Sequence, residues 1–190
     1  AIFVTIKTLN VKILFWEDHY FRLMASMRIF RIEIPMAFTP EFLESQILEL
    51  LTHNKSNSNS FRVKLTVFRK QGGFYTPDIN DVNYFITADS LESDLYLLNG
   101  SNCTIELFKD FYVAPGLLST LKTNNKVLNV LGSVYAKENQ YDNCLLLNTN
   151  KSIVEALNGK SVILSTDHSR LLRLLQRQQA HRARWRQLNL

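Results

Sequence analysis

An α+β fold in two domains is predicted by three features of the sequence. Residues 61–69 alternate, with Phe61, Val63, Leu65 and Val67 on one face and Arg62, Lys64 and Thr66 on the other, the pattern of a half-buried strand. Thr39-Pro40-Glu41 places an N-cap, a proline at the first helical position and an acidic first turn ahead of Phe42, Leu43, Ile47, Leu50 and Leu51. At Ala114-Pro115-Gly116 a strand-rich pattern gives way to a helix-bearing one. This predicts an N-terminal α+β domain over residues 1–113, a linker at 114–118, a C-terminal domain over 119–164 and a basic tail from 165 to 190.

The remaining elements follow in order. Residues 2–8 and 12–16 are rich in Ile, Val, Phe and Thr on either side of Leu9-Asn10-Val11 and read as a hairpin. Asp18 is the expected N-cap of a helix to about Phe30, with Tyr20, Leu23, Met24, Met27 and Phe30 at helical spacing. Asn54 to Ser60 is too polar to pack and reads as a loop, and Gly72-Gly73 permits a turn after the alternating strand. Further strands are expected at Asn83–Ala88 and Thr104–Phe111. Past the break, Val127, Val130, Leu131, Val134 and Tyr135 fit a helix. Strands are then expected at Cys144–Asn148, Ile153–Ala156 and Val162–Leu164.

A chain of 190 residues, 46% of them hydrophobic, can build one sizeable core or two small ones. No apolar run approaches the roughly 20 residues that span a bilayer, so a soluble protein is expected. The first residues show neither a basic n-region nor a small-residue cleavage site, which predicts no secretory signal and a cytoplasmic location. The absent initiator Met suggests a trimmed or partial chain. Cys103 and Cys144 have no metal-ligand spacing and are expected as reduced thiols; no metal site is predicted. The net charge of +5 is carried by a short stretch: Arg170, Arg173, Arg177, Arg182, Arg184 and Arg186 outweigh it, so the rest of the chain stands at −1.

Taken singly, a lysine at a strand-to-helix junction or a glutamate after a short strand ordinarily faces water. The order of segments gives Lys122 and Glu155 more weight. Leu118-Ser119-Thr120-Leu121-Lys122-Thr123-Asn124-Asn125, a helix ending in Ala136-Lys137-Glu138-Asn139, Tyr141-Asp142-Asn143-Cys144-Leu145-Leu146-Leu147-Asn148, and Ile153-Val154-Glu155-Ala156-Leu157-Asn158-Gly159 run in sequence. Upstream lie Ile2-Phe3-Val4-Thr5-Ile6 and Trp16-Glu17-Asp18-His19-Tyr20-Phe21-Arg22-Leu23, with a histidine three residues before an arginine and leucine. Together these resemble the class IV (fold-type IV) pyridoxal-phosphate-dependent aminotransferases. That family includes branched-chain aminotransferases, D-amino-acid aminotransferases and aminodeoxychorismate lyases. The resemblance covers about residues 1–160. It departs at Val4, where the family usually has glutamate, and at Lys160-Ser161-Val162; from Ser165 onward no match is found, and the family's later Gly-Ile-x-Arg turn has no counterpart.

The resemblance implies a two-domain fold-type IV architecture with an incomplete, barrel-like C-terminal domain and pyridoxal 5′-phosphate between the domains. It implies amino-group transfer, or related lyase chemistry, on amino acid and keto acid substrates through an imine at Lys122. A lysine amine suits both cofactor attachment and proton transfer at the substrate Cα. Glu155 would keep the pyridine nitrogen protonated, and Arg22 would grip the cofactor phosphate, since a planar fork of donors suits a dianion. Arg69, before the glycine turn, resembles an arginine lining the substrate carboxylate site. A homodimer is implied as well.

The tail from His168 to Leu190 sets Leu171, Leu172, Leu174 and Leu175 among arginines and predicts a short basic amphipathic helix. Such a segment could touch nucleic acid or an anionic membrane through phosphate contacts, with Trp185 as a stacking group; a frayed terminus without function is the plainer reading. The rival to an enzyme is accordingly a catalytically inactive remnant or interaction module that binds a polyanion through this tail.

Overall fold

A computed structural model describes residues 1–54, 58–95 and 103–158, together with the backbone of 163–164 and 171–172. The chain divides into two compact units, one formed by Ala1–Asn99 with Lys122–Asn124 and the other by Gly100–Leu121 with Asn125–Leu190.

The first unit is an antiparallel sheet with two helices packed against its apolar face. Its strands are β1 (Ile2–Leu9), β2 (Lys12–Ile13), β3 (Ser60–Arg69) and β4 (Val82–Ser90), in the order β2-β1-β3-β4. The alternation read in β3 sends Phe61, Val63, Leu65 and Val67 inward, and in β1 the inward set is Ile2, Val4 and Ile6. Register pairs Val4 with Leu65 and Leu65 with Ile86, so the buried residues of adjacent strands lie side by side. The hairpin turn has positive φ at Asn10 and Val11, 48° and 63°, the signature of a tight turn matched to strand twist.

Helix α1 (Trp16–Ile29) lays Leu23, Met24 and Met27 on the sheet, and α2 (Pro40–His53) adds Leu43, Ile47 and Leu51. The cap expected at Thr39 is present, its side chain accepting the Phe42 N–H at 3.2 Å. The cap expected at Asp18 is not: α1 begins at Trp16, after Phe15 in the left-handed region at φ 54°, with no side-chain cap. Packing of Trp16 and Tyr20 against the core fixes that start instead. The same early start limits β2 to two residues where five were expected. At its other end α1 closes by a Schellman motif, with Ile32 N–H on the Met27 carbonyl at 2.9 Å and Arg31 N–H on the Arg28 carbonyl at 3.0 Å.

The second unit holds β5 (Ile105–Val113), β6 (Asn143–Asn148) and β7 (Ile153–Ala156) in that order, β5 parallel to β6 and β7 antiparallel to it. A parallel pair needs a long crossover, and the connection here carries a short 3₁₀ turn, Leu117–Thr120, and helix α3 (Val127–Glu138). α3 comes close to the sheet at Gly132, where a Cβ would stand 2.5 Å from Leu157 Cδ2. Phe108, Val113, Ala136, Cys144 and Leu146 form its small core. Two further strands, β8 (Ile163–Leu164) and β9 (Leu171–Leu172), pair antiparallel.

Three further expectations differ from the structure. Residues 105–113 were assigned to the N-terminal domain, but β5 pairs with β6 and belongs to the second unit, so the change of unit precedes the expected linker at 114–118. Lys122–Asn124 were assigned to the C-terminal domain and lie in the first unit. The helix expected over 168–190 is a strand at Leu171–Leu172, where backbone groups pair with β8; the rest of that tail lies outside the described residues. Both cysteines are free, Cys103 exposed and Cys144 buried, and burial raises the Cys144 thiol pKa above its ordinary value. No helix among the described residues is long and apolar enough to cross a membrane.

Candidate active site

β1 has two edges. β3 occupies one along its whole length, and β2 takes the other only near Thr8 and Leu9. At the opposite end, Lys122–Asn124 fills the gap. Phe3 N–H donates to the Lys122 carbonyl at 3.0 Å, Asn124 N–H donates to the Ala1 carbonyl at 3.1 Å, and Ile2 and Thr123 form an antiparallel bridge. Lys122, half-buried, is therefore fixed through its backbone. Its Nζ lies 6.0 Å from the centroid of the Phe3 ring, and Lys64 Nζ lies 4.5 Å from the same centroid, both within reach of a cation–π attraction.

α1 carries His19 and Arg22. Residues three apart on a helix share a face, and Arg22 Nη2 lies 2.7 Å from His19 Nδ1. Burial, then Arg22, then Lys122 push the His19 pKa down to about 4, against the opposing pull of Asp18. The effect of Lys122 on His19 ties the lysine electrostatically to the helix face that carries Arg22. Burial also lowers the Arg22 pKa, opposed by Asp18. Arg22 Nε is buried with no hydrogen-bond partner among the described residues. An unmatched buried N–H costs about 1–3 kcal/mol, more for a charged group, so the position calls for an acceptor.

Arg69 is engaged elsewhere. Its Nε donates to Asn80 Oδ1 at 2.9 Å, and its Nη2 donates to the carbonyls of Phe30 and Arg31 at 2.5 and 2.9 Å. Those carbonyls end α1, where a cation is favoured by the helix dipole. The contacts make Arg69 a clamp on the Schellman turn.

Glu155 belongs to the second unit, half-buried on β7 opposite Leu146. Buried Asn129 of α3 reaches it: Asn129 Nδ2 donates to the Leu157 carbonyl at 2.8 Å and to Glu155 Oε1 at 3.3 Å. The carboxylate is thus oriented by a helix packed against its own sheet.

Of the residues singled out by sequence, Lys122 and Arg22 both lie in the first unit, Glu155 is held in the second, and Arg69 braces α1. Sequence reasoning gave no role to His19, Lys64, Phe3 or Asn129. The i, i+3 spacing of His19 and Arg22 was the one visible signal for the first of these; the others depend on strand register and helix packing.

A family model, amino-transferase class IV, matches residues 1–167. Among curated proteins no sequence match was found. Solved structures share the fold. The branched-chain amino acid aminotransferase of Thermobaculum terrenum, in its PLP form, has a TM-score of 0.67 at 20% identity, covering 82% of this chain and 52% of that one. That of Escherichia coli scores 0.67 at 18% identity, with 82% and 53% covered. A Legionella pneumophila structure bearing the name 4-amino-4-deoxychorismate lyase scores 0.64 at 16% identity, covering 82% and 55%. The chain spans little more than half the length of these structures. At such identities the likeness establishes the two-part, fold-type IV architecture, and the family match over most of the chain supplies the rest: this chain belongs to the class IV aminotransferases.

Proposed function

We propose that this chain carries the amine-bearing and phosphate-binding residues of a pyridoxal 5′-phosphate-dependent enzyme that moves amino groups between amino acids and keto acids, or carries out related lyase chemistry. One observation supports the reading above the others: a lysine tied through its backbone to β1 lies close enough to His19 to depress its pKa, and Arg22, bonded to His19, has a buried Nε without a partner among the described residues. A phosphorylated cofactor fits this donor set. Arg22 offers a charge-assisted N–H to a dianion.

When bound, the cofactor supplies an aldehyde that condenses with amines and a ring that takes up electrons from the substrate Cα. Each residue has a separate task. Arg22 holds phosphate. Lys122 provides the attaching amine and, once released from it, a base and acid at the substrate Cα. Glu155, oriented by Asn129, supplies the negative charge that keeps a pyridine nitrogen protonated. Arg69 binds Asn80, Phe30 and Arg31 through Nε and Nη2, and a role for it at the substrate carboxylate rests on the resemblance alone.

Incubation with pyridoxal 5′-phosphate, borohydride reduction and peptide mapping tests the reading. A phosphopyridoxyl label on the peptide containing Lys122, absent in Lys122→Ala, is the expected result. No uptake by the wild-type chain would favour the cofactor-free alternative, an interaction module whose basic tail binds polyanions.

A further inference from the structure

The contact between His19 and Arg22 runs in one direction only. A guanidinium has five N–H donors and no acceptor, so Nδ1 of His19 must offer its lone pair to Arg22 Nη2, 2.7 Å away. A neutral imidazole accepting at Nδ1 carries its proton on Nε2, and it stays neutral here because burial and the charges of Arg22 and Lys122 outweigh Asp18. One donor of Arg22 is spent on this bond while another, Nε, is buried and unmatched among the described residues. The peptide of Arg22 is held as well: its carbonyl accepts from Ser26 Oγ at 2.7 Å. The side chain is thus constrained at its root and at one tip.

We infer that His19 is a positioning residue, whose Nδ1 holds the guanidinium of Arg22 in the one rotation that keeps Nε available to the phosphate group of the cofactor. This rests on the assignment of Arg22 to that phosphate. An arginine tip left loose would lose side-chain freedom on binding and would be free to turn toward the carboxylate of Asp18; a neutral acceptor three residues earlier removes both costs. A charged partner would serve less well. A carboxylate in place of His19 would neutralise the guanidinium and weaken its pull on a dianion, whereas a neutral ring nitrogen orients it and leaves its charge intact.

The test compares His19→Leu, which removes the acceptor, with His19→Asn, whose amide oxygen can replace Nδ1. Each full-length variant is titrated with pyridoxal 5′-phosphate and with pyridoxal, which lacks the phosphate, by absorbance. His19→Leu is expected to weaken pyridoxal 5′-phosphate about tenfold or more and pyridoxal hardly at all, and His19→Asn to recover most of the loss. Equal weakening of both ligands, or wild-type affinity in His19→Leu, would overturn the inference. A second measurement needs no cofactor: the Arg22 Nε–H resonance should be sharp and slow to exchange in the wild type and in His19→Asn, and broadened in His19→Leu. If the wild type takes up neither ligand, the proposed function fails and the phosphate role of the pair fails with it. The resonance then reports whether His19 fixes Arg22 at all, and an unchanged signal in His19→Leu would remove that as well.

Discussion

The carbonyl of Lys122 accepts the N–H of Phe3, so the candidate reactive lysine is held to β1 by its peptide and not by its amine alone. Lys122→Ala should therefore leave the fold intact, with a change in unfolding free energy within about 0.5 kcal/mol, while abolishing the phosphopyridoxyl label. Asn124→Pro should do the reverse. It removes the N–H donated to the Ala1 carbonyl and loosens the strand while keeping the amine, so labelling at Lys122 should slow.

Glu155→Gln should leave attachment at Lys122 intact and depress turnover. Loss of a charge that matters most in the transition state typically costs about 3 kcal/mol, roughly a hundredfold in kcat. Steady-state kinetics beside the cofactor spectrum separate the two effects. A variant matching the wild type in both would remove Glu155 from the mechanism.

His19 makes stability depend on pH with a definite sign. Its folded pKa is about 4 against an ordinary 6.5, so between those values the unfolded chain binds more protons than the folded one. Its contribution is full above pH 6.5 and is lost as pH falls toward 4. The full linkage would approach about 1.4 kcal/mol per pH unit, but a half-exposed ring is screened, so about 1–2 kcal/mol in all is expected. Urea midpoints across that window should fall more in the wild type than in His19→Asn.

Arg69→Ala should act on stability. Removing charge-assisted bonds to two helix-terminal carbonyls costs about 1.5–3 kcal/mol, a drop in Tm of several degrees for a unit of this size. Cofactor affinity should hold. A raised KM for the amino acid with unchanged Tm would instead return Arg69 to the substrate carboxylate site.

Elements with a local cause were legible in the sequence. Thr39-Pro40 announces α2 because cap and proline act within one turn, and β3 shows its alternation because one of its faces is buried. The start of α1 was missed because Phe15 supplies no cap and tertiary packing decides. The placement of β5 was missed because a parallel partner lies beyond a whole helix and leaves no mark on the strand itself. At the site, Lys122, Arg22 and Glu155 were singled out through the order of their segments. The bonds of Arg69 were not foreseen, because its place beside a glycine turn says nothing of the carbonyls that end α1.

The first unit is discontinuous, and this sets a timetable. Its four strands and two helices are complete by Ser90, yet the edge of β1 beside Ala1 stays open until Lys122–Asn124 arrive from beyond β5. During synthesis from the N-terminus the sheet and its helices can close first, and the segment Lys122–Asn124 joins last, by the most distant pairing in the unit. A nascent chain stalled between Ser90 and that point could hold a folded sheet with the β1 edge beside Ala1 still open, and Lys122 takes its place there only once the scaffold around it is built.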